Sequence, residues 1–124
     1  MRYLLVDDNQ PFLEASRTLL SREGLDVVGT AATSAECVRA AEDLDPDIIL
    51  VDVDLGGESG IALAHRLAAA PAGWGVIFMS THSAEDFVEL ADETGALGFL
   101  AKSELCRDAV ETVVKRFRRT DRRR

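Results

Sequence analysis

Five short apolar runs, each followed by a stretch of helical period or a helix signal, constrain this chain more than any other feature. The runs are Tyr3-Leu4-Leu5-Val6, Val27 to Ala31, Ile48 to Val53, Val76-Ile77-Phe78-Met79 and Gly98-Phe99-Leu100-Ala101. Three of them show little polar alternation, as in strands covered on both faces. Asn9 is expected to cap a first helix with Pro11 in its first turn, Phe12, Ala15, Leu19 and Leu20 on its apolar stripe and Gly24 at its end. Thr33 and Glu36 form a capping-box pattern ahead of Cys37, Val38, Ala41 and Leu44, and Asp45-Pro46-Asp47 breaks that helix. Gly56 to Gly60 reads as a loop, an Ala- and Leu-rich helix follows to about Ala70, and Pro71-Ala72-Gly73 turns the chain. Ser83 with Asp86 opens a fourth helix that ends before Gly95. Ser103 is expected to cap a last one bearing Cys106, Ala109, Val110, Val113, Val114 and Phe117. Five βα units with right-handed crossovers give an α/β fold, a doubly wound five-stranded parallel sheet flanked by five helices.

The 124 residues, 47% of them apolar, suffice for one domain with one core. No apolar run approaches the roughly 20 residues a membrane span needs. The start, MRYLLVDDNQ, is not a secretory signal. A cytoplasmic location and reduced, buried thiols at Cys37 and Cys106 are the expectation. The net charge of −8 is uneven: the last ten residues, KRFRRTDRRR, hold seven basic residues and one acid, so the body is strongly acidic. That balance argues against direct nucleic-acid binding by the domain, and the basic tail is expected to be solvated.

In a doubly wound parallel sheet, ligands bind outside the carboxyl ends of the strands. Past the first strand come Asp7 and Asp8; at and beyond the third, Asp52 and Asp54; past the fourth, Ser80, Thr81 and His82; past the fifth, Lys102. Four of five strand ends thus bring acids, hydroxyls or a cation to one edge. Two like charges at about 4 Å cost roughly 4 kcal/mol at an effective dielectric near 20, and a divalent cation removes that cost. Carboxylate oxygens with room for water suit Mg²⁺. A carboxylate beside Mg²⁺ and a lysine can act as a nucleophile toward phosphorus, with Lys102 as a point charge and Ser80 as a hydrogen-bond donor to the phosphoryl oxygens. Singly, each residue has a plain reading as a turn, a cap or a solvated side chain; as a set at matching strand ends they point to this chemistry.

Together LLVDD at 4–8, ILVDVDLGGESG at 49–60, VIFMST at 76–81 and GFLAKSEL at 98–105 resemble the receiver domain of bacterial response regulators in two-component signalling. The resemblance covers residues 2 to about 118, implying a receiver domain over 1–118 with a basic tail, expected to be disordered, over 119–124. It implies a flavodoxin-like strand order of 2-1-3-4-5. It implies Asp52 as phosphoacceptor, Asp7 and Asp8 as the Mg²⁺ pair, and a backbone carbonyl from Asp54 to the same metal. Ser80, with Thr81 beside it, matches the switch hydroxyl; Phe99 matches the aromatic that follows it, and Lys102 the phosphate-binding lysine. Asp54 and His82 fall where the family tunes phosphoryl lifetime. The implied donor is a sensor histidine kinase or a small phosphodonor. The implied output is docking of an effector or a homodimer through the surface from the fourth to the last helix. Intrinsic autophosphorylation and autodephosphorylation follow from the same resemblance.

The chain departs from the family at three points. Gly56 stands where Pro is common. Ser103 replaces a Pro after the lysine, so trans geometry or local strain is expected at the Lys102–Ser103 bond. Thr81 stands where Ala is common and is expected to crowd the phosphoryl site. The STH and AKSEL stretches resemble the branch whose receivers carry a helix-turn-helix output domain; none is read within these residues. Two other readings are weighed against the switch: a receiver-like scaffold independent of phosphorylation, and a phosphatase acting through an aspartyl phosphate, since Asp52-Val53-Asp54 also resembles the D-x-D of haloacid-dehalogenase-type phosphatases.

Overall fold

The apolar runs pair edge to edge in a computed structural model that describes residues 1–81 and 94–115. The strands are β1 (Arg2–Val6), β2 (Asp26–Ala31), β3 (Ile48–Asp52), β4 (Asp54–Leu55), β5 (Glu58–Ser59), β6 (Gly75–Ser80) and β7 (Gly98–Ala101). The helices among the described residues are α1 (Gln10–Arg22), α2 (Ser34–Leu44), α3 (Gly60–Ala69) and α4 (Arg107–Val114). The main sheet is parallel throughout with order β2-β1-β3-β6-β7. Counting only its five strands, this is the 2-1-3-4-5 order expected of the fold. Four helices are described where five were expected. The segment opened by Ser83 and Asp86, like His82, Phe117 and the 119–124 tail, lies outside the described residues.

Alternation along each strand divides the core into two layers. Tyr3, Leu5, Ile48, Leu50, Ile77, Met79 and Leu100 face one side, where Leu13 and Leu20 of α1 and Val110 and Val114 of α4 pack on them. Leu4, Val6, Ile49, Val51, Val76 and Phe78 face the other, against Cys37 and Ala41 of α2 and Leu63, Ala64 and Leu67 of α3. Burial of both faces explains why these strands read as unbroken apolar runs.

Local signals hold at most ends. The Asn9 side chain accepts the Phe12 N–H at 3.1 Å, and the Thr33 hydroxyl accepts that of Glu36 at 3.1 Å. Glu36 reaches back to the N–H of Ala32, at 3.3 Å, rather than to that of Thr33. Asp45 ends α2 in a left-handed turn, φ 47°. Three expectations are corrected. β3 ends at Asp52, one residue short of the expected Val53, although the Val53 N–H still donates to the Met79 carbonyl at 3.0 Å, and the Asp54 N–H turns back to Asp52 Oδ1 at 3.1 Å. The loop from Gly56 to Gly60 holds a small antiparallel ladder, Asp54 and Leu55 against Ser59 and Glu58, and Ser59 caps α3. Cys106, not Ser103, caps the last helix: residues Lys102–Glu104 form a 3-10 turn, Leu105 is buried, and the Cys106 Sγ accepts the Ala109 N–H at 3.5 Å. Cys106 is accordingly only half-buried, whereas Cys37 is fully buried and its thiol is pushed up to about 12 by burial. No cis peptide bond occurs among the described residues, so Lys102–Ser103 is trans.

Candidate functional site

The pleat that sorts the core also aims the polar strand ends. Asp7 follows Leu5 by two residues, Asp52 follows Leu50, and Lys102 follows Leu100, so all three continue the layer facing α1 and α4. Ser80, two beyond Phe78, and Phe99 continue the other layer. β1 and β3 are direct neighbours, with Val6 beside Val51, which brings the acids that follow them together.

Asp7 and Asp52 are buried and Asp8 is exposed; each offers a carboxylate oxygen, and these lie within 4.8 Å of one another. Lys102 Nζ stands between two of them, 2.6 Å from Asp7 Oδ2 and 3.1 Å from Asp52 Oδ2. It donates a hydrogen bond to Asp52. The Asp7 contact is an ion pair without hydrogen-bond alignment, so Asp7 Oδ2 is a buried oxygen with acceptor capacity to spare. Asp7 Oδ1 accepts the Asn9 N–H at 3.0 Å and Asp52 Oδ1 that of Asp54 at 3.1 Å. Burial raises the Asp52 carboxyl to about 6, and the Asp7 charge adds to the rise, while the Lys102 hydrogen bond and the Asp54 N–H pull it down. On Lys102, burial works downward, but the two carboxylates outweigh it and the ammonium is held above its ordinary range.

Three acids against one ammonium leave the cluster net negative. The donor set is all oxygen, with a buried oxygen lacking a hydrogen bond, and these residues fit a hard divalent cation. Ser80 closes β6 and is buried; Thr81 follows it and is exposed. Phe99 pairs with Phe78 in the β6–β7 register and packs on the α2–α3 layer. The Asp54 side chain is exposed, and its N–H is committed to Asp52.

Three residues matter here that the strand-end reading passed over. Phe12, read only as part of a helix stripe, places its ring 4.7 Å from Lys102 Nζ. Gly60 lies so close to the third strand that a Cβ there would sit 1.9 Å from the Asp52 carbonyl oxygen. Gly56, at φ +68°, has a backbone that proline cannot adopt, and a Cβ there would come 3.0 Å from Asp8 Oδ2. The glycines were visible as letters, but their closeness to the acids is a tertiary fact.

Fold and site together define a doubly wound parallel α/β domain with acids at the β1 and β3 ends and a lysine at the β7 end. The description "Response regulator receiver domain" matches residues 3–117, and the chain belongs to that family. The transcriptional regulatory protein PdtaR of Mycobacterium tuberculosis is 32% identical over 123 residues, covering 94% of this chain and 58% of PdtaR. The chain thus spans little more than half the length of that curated relative. The receiver domain of the response regulator NarL from Mycobacterium tuberculosis superposes with a TM-score of 0.79 at 29% identity, covering 92% of this chain and 93% of that one. The CheX–CheY–BeF3–Mg complex of Borrelia burgdorferi contains a chain that matches with a TM-score of 0.77 at 25% identity, covering 92% of this chain and 86% of its own.

Proposed function

We propose that this receiver domain accepts a phosphoryl group on Asp52 in a Mg²⁺-dependent reaction and changes conformation in response. The observation that carries the reading is Lys102 Nζ held between Asp7 and Asp52, with the Asp8 carboxylate in the same cluster. Asp7, Asp8 and Asp52, with the backbone carbonyl of Asp54, are the residues that would hold the metal. Bound there, Mg²⁺ supplies charge neutralisation for the transferring group. The magnesium and beryllofluoride in the Borrelia complex support the same chemistry by analogy.

The chain's own residues do the rest. A group with a pKa of about 6 is mostly ionised at neutral pH, so Asp52 can present a nucleophilic oxygen. That oxygen forms a bond to phosphorus as the bond from phosphorus to the donor breaks. The donor is an imidazole nitrogen of a sensor histidine kinase or an acyl oxygen of a small phosphodonor, and it leaves with the electron pair. The Lys102 ammonium meets one of the peripheral phosphoryl oxygens as a point charge. Ser80 donates to another, with Thr81 beside it, and the added charge of about −1.5 to −2 favours one arrangement of Ser80 and Phe99 over its alternative. Asp54 and His82 are proposed to set the phosphoryl lifetime. The proposed output is docking of an effector, or self-association, through a face that includes α4, in the cytoplasm. Among the described residues no helix is long and apolar enough to cross a membrane.

Incubation with Mg²⁺ and acetyl phosphate, followed by intact mass, tests the reading. One added phosphoryl group is expected on the native protein and none on Asp52→Asn. Equal labelling of the two, or none on the native protein, sinks it.

A further inference from the structure

Lys102 Nζ lies over the ring of Phe12, 4.7 Å from its centroid. Phe12 is itself fixed from two sides. Its N–H donates to Asn9 Oδ1 at 3.1 Å, and the Asn9 N–H donates to Asp7 Oδ1 at 3.0 Å. The other Asp7 oxygen is the one 2.6 Å from Lys102 Nζ. Asp7, Asn9, Phe12 and Lys102 therefore close a circuit of contacts that begins and ends on a buried carboxylate. Behind the ring, Phe12 packs on the apolar layer formed with α1 and α4.

We propose that Phe12 is a positioning residue for Lys102. The face of its ring holds the ammonium between Asp7 and Asp52 and so sets how well Lys102 meets a phosphoryl group. The proposal rests on the phosphoacceptor reading above. A lysine ammonium is a point charge on a flexible four-carbon stem, free to sample many directions. Two carboxylates draw it inward but do not choose among the rotamers that reach both. A π face below the nitrogen closes off one side of that space and attracts the charge. The capping bond from Asn9 makes the ring's position part of the same local structure that orients Asp7, so the lysine is placed relative to the acids rather than merely near them.

The test uses the full chain with Phe12→Leu and Phe12→Met, which keep apolar bulk without a π face, and Phe12→Tyr, which keeps the face. In the native protein the Lys102 ε-methylene protons should be shifted upfield in NMR by the ring current. The shift should persist in Phe12→Tyr and vanish in the aliphatic variants. At saturating Mg²⁺, labelling of Asp52 by acetyl phosphate should slow roughly two- to thirty-fold in the aliphatic variants, the range spanned by cation–π interactions from exposed to desolvated. Phe12→Tyr should label at close to the native rate. Absence of the upfield shift in the native protein overturns the proposal. So does native-rate labelling by a folded aliphatic variant, or equal slowing in Tyr and Leu. If no form of the protein takes up a phosphoryl group, the phosphoacceptor reading fails, and the ring-current comparison still decides whether Phe12 places Lys102.

Discussion

At Asp52 burial works against charge. Burial raises its carboxyl from 3.8 to about 6. Well below pH 3.8 both the folded and unfolded chains hold the proton, so the group makes no difference. As pH rises toward 6 the unfolded chain releases its proton first, and the folded state loses stability relative to it. The loss is complete once pH passes the folded value and amounts to at most about 3 kcal/mol at one pKa unit per 1.36 kcal/mol. Urea unfolding in metal-free buffer should therefore show native stability falling between pH 4 and 7 relative to Asp52→Asn, whose curve lacks this contribution. Mg²⁺ added at pH 7 should recover the deficit in the native protein. Parallel pH curves for the two proteins would show that Asp52 is not strained by its surroundings.

At the scale of elements, the join between β3 and α3 leaves no room for a side chain at Gly60. The Gly60 N–H donates to the Val53 carbonyl at 3.0 Å, and any Cβ at Gly60 would stand 1.9 Å from the Asp52 carbonyl oxygen. That neighbour is backbone and cannot swing aside. Gly60→Ala must push the start of α3 away from the end of β3, and a loss of about 3 kcal/mol or more is expected, at or beyond the top of the usual overpacking range. Thermal unfolding measures it; a native-like midpoint would show that the join yields easily. Much of this level was legible in advance. Asn9 and Thr33 cap as their side-chain oxygens suggest, because the capping signal is local and carried by residue type. Cys106 was missed for the converse reason: sulfur is outside the usual capping set, and a 3-10 turn at Lys102–Glu104 displaced the helix start by three residues. The ladder of Asp54 and Leu55 against Glu58 and Ser59 is too short for alternation to register, and Glu58 spends its carboxylate on the N–H of Ser34 in another element, at 2.9 Å.

Over the whole molecule, a two-residue alternation links core to chemistry. The acids and the lysine were readable as strand ends because parallel strands in one sheet finish on one edge, which needs only the order of elements. Phe12 was not readable, since nothing local says which helix residue reaches a lysine ninety residues further along the chain. Once the sheet is built, the layer that ends in Asp7, Asp52 and Lys102 is the one packed by α1 and α4, whereas the opposite layer ends in Ser80. Support for the acidic cluster should therefore come from one layer more than from the other. Leu50, two residues before Asp52 and fully buried, lies under the site; Val51, equally buried and closer in sequence, lies on the far side. Leu50→Ala should cost about 2–5 kcal/mol and Val51→Ala about 1–3 kcal/mol, both readable from urea unfolding. Under conditions where both variants stay folded, calorimetric titration with Mg²⁺ separates location from stability. Leu50→Ala should weaken the metal several-fold, because the cavity opens beneath the Asp52 and Lys102 side chains, whereas Val51→Ala should bind as the native protein does. Equal weakening in the two would mean that the cluster feels overall stability rather than the layer beneath it, and the alternation would then explain the core without explaining the site.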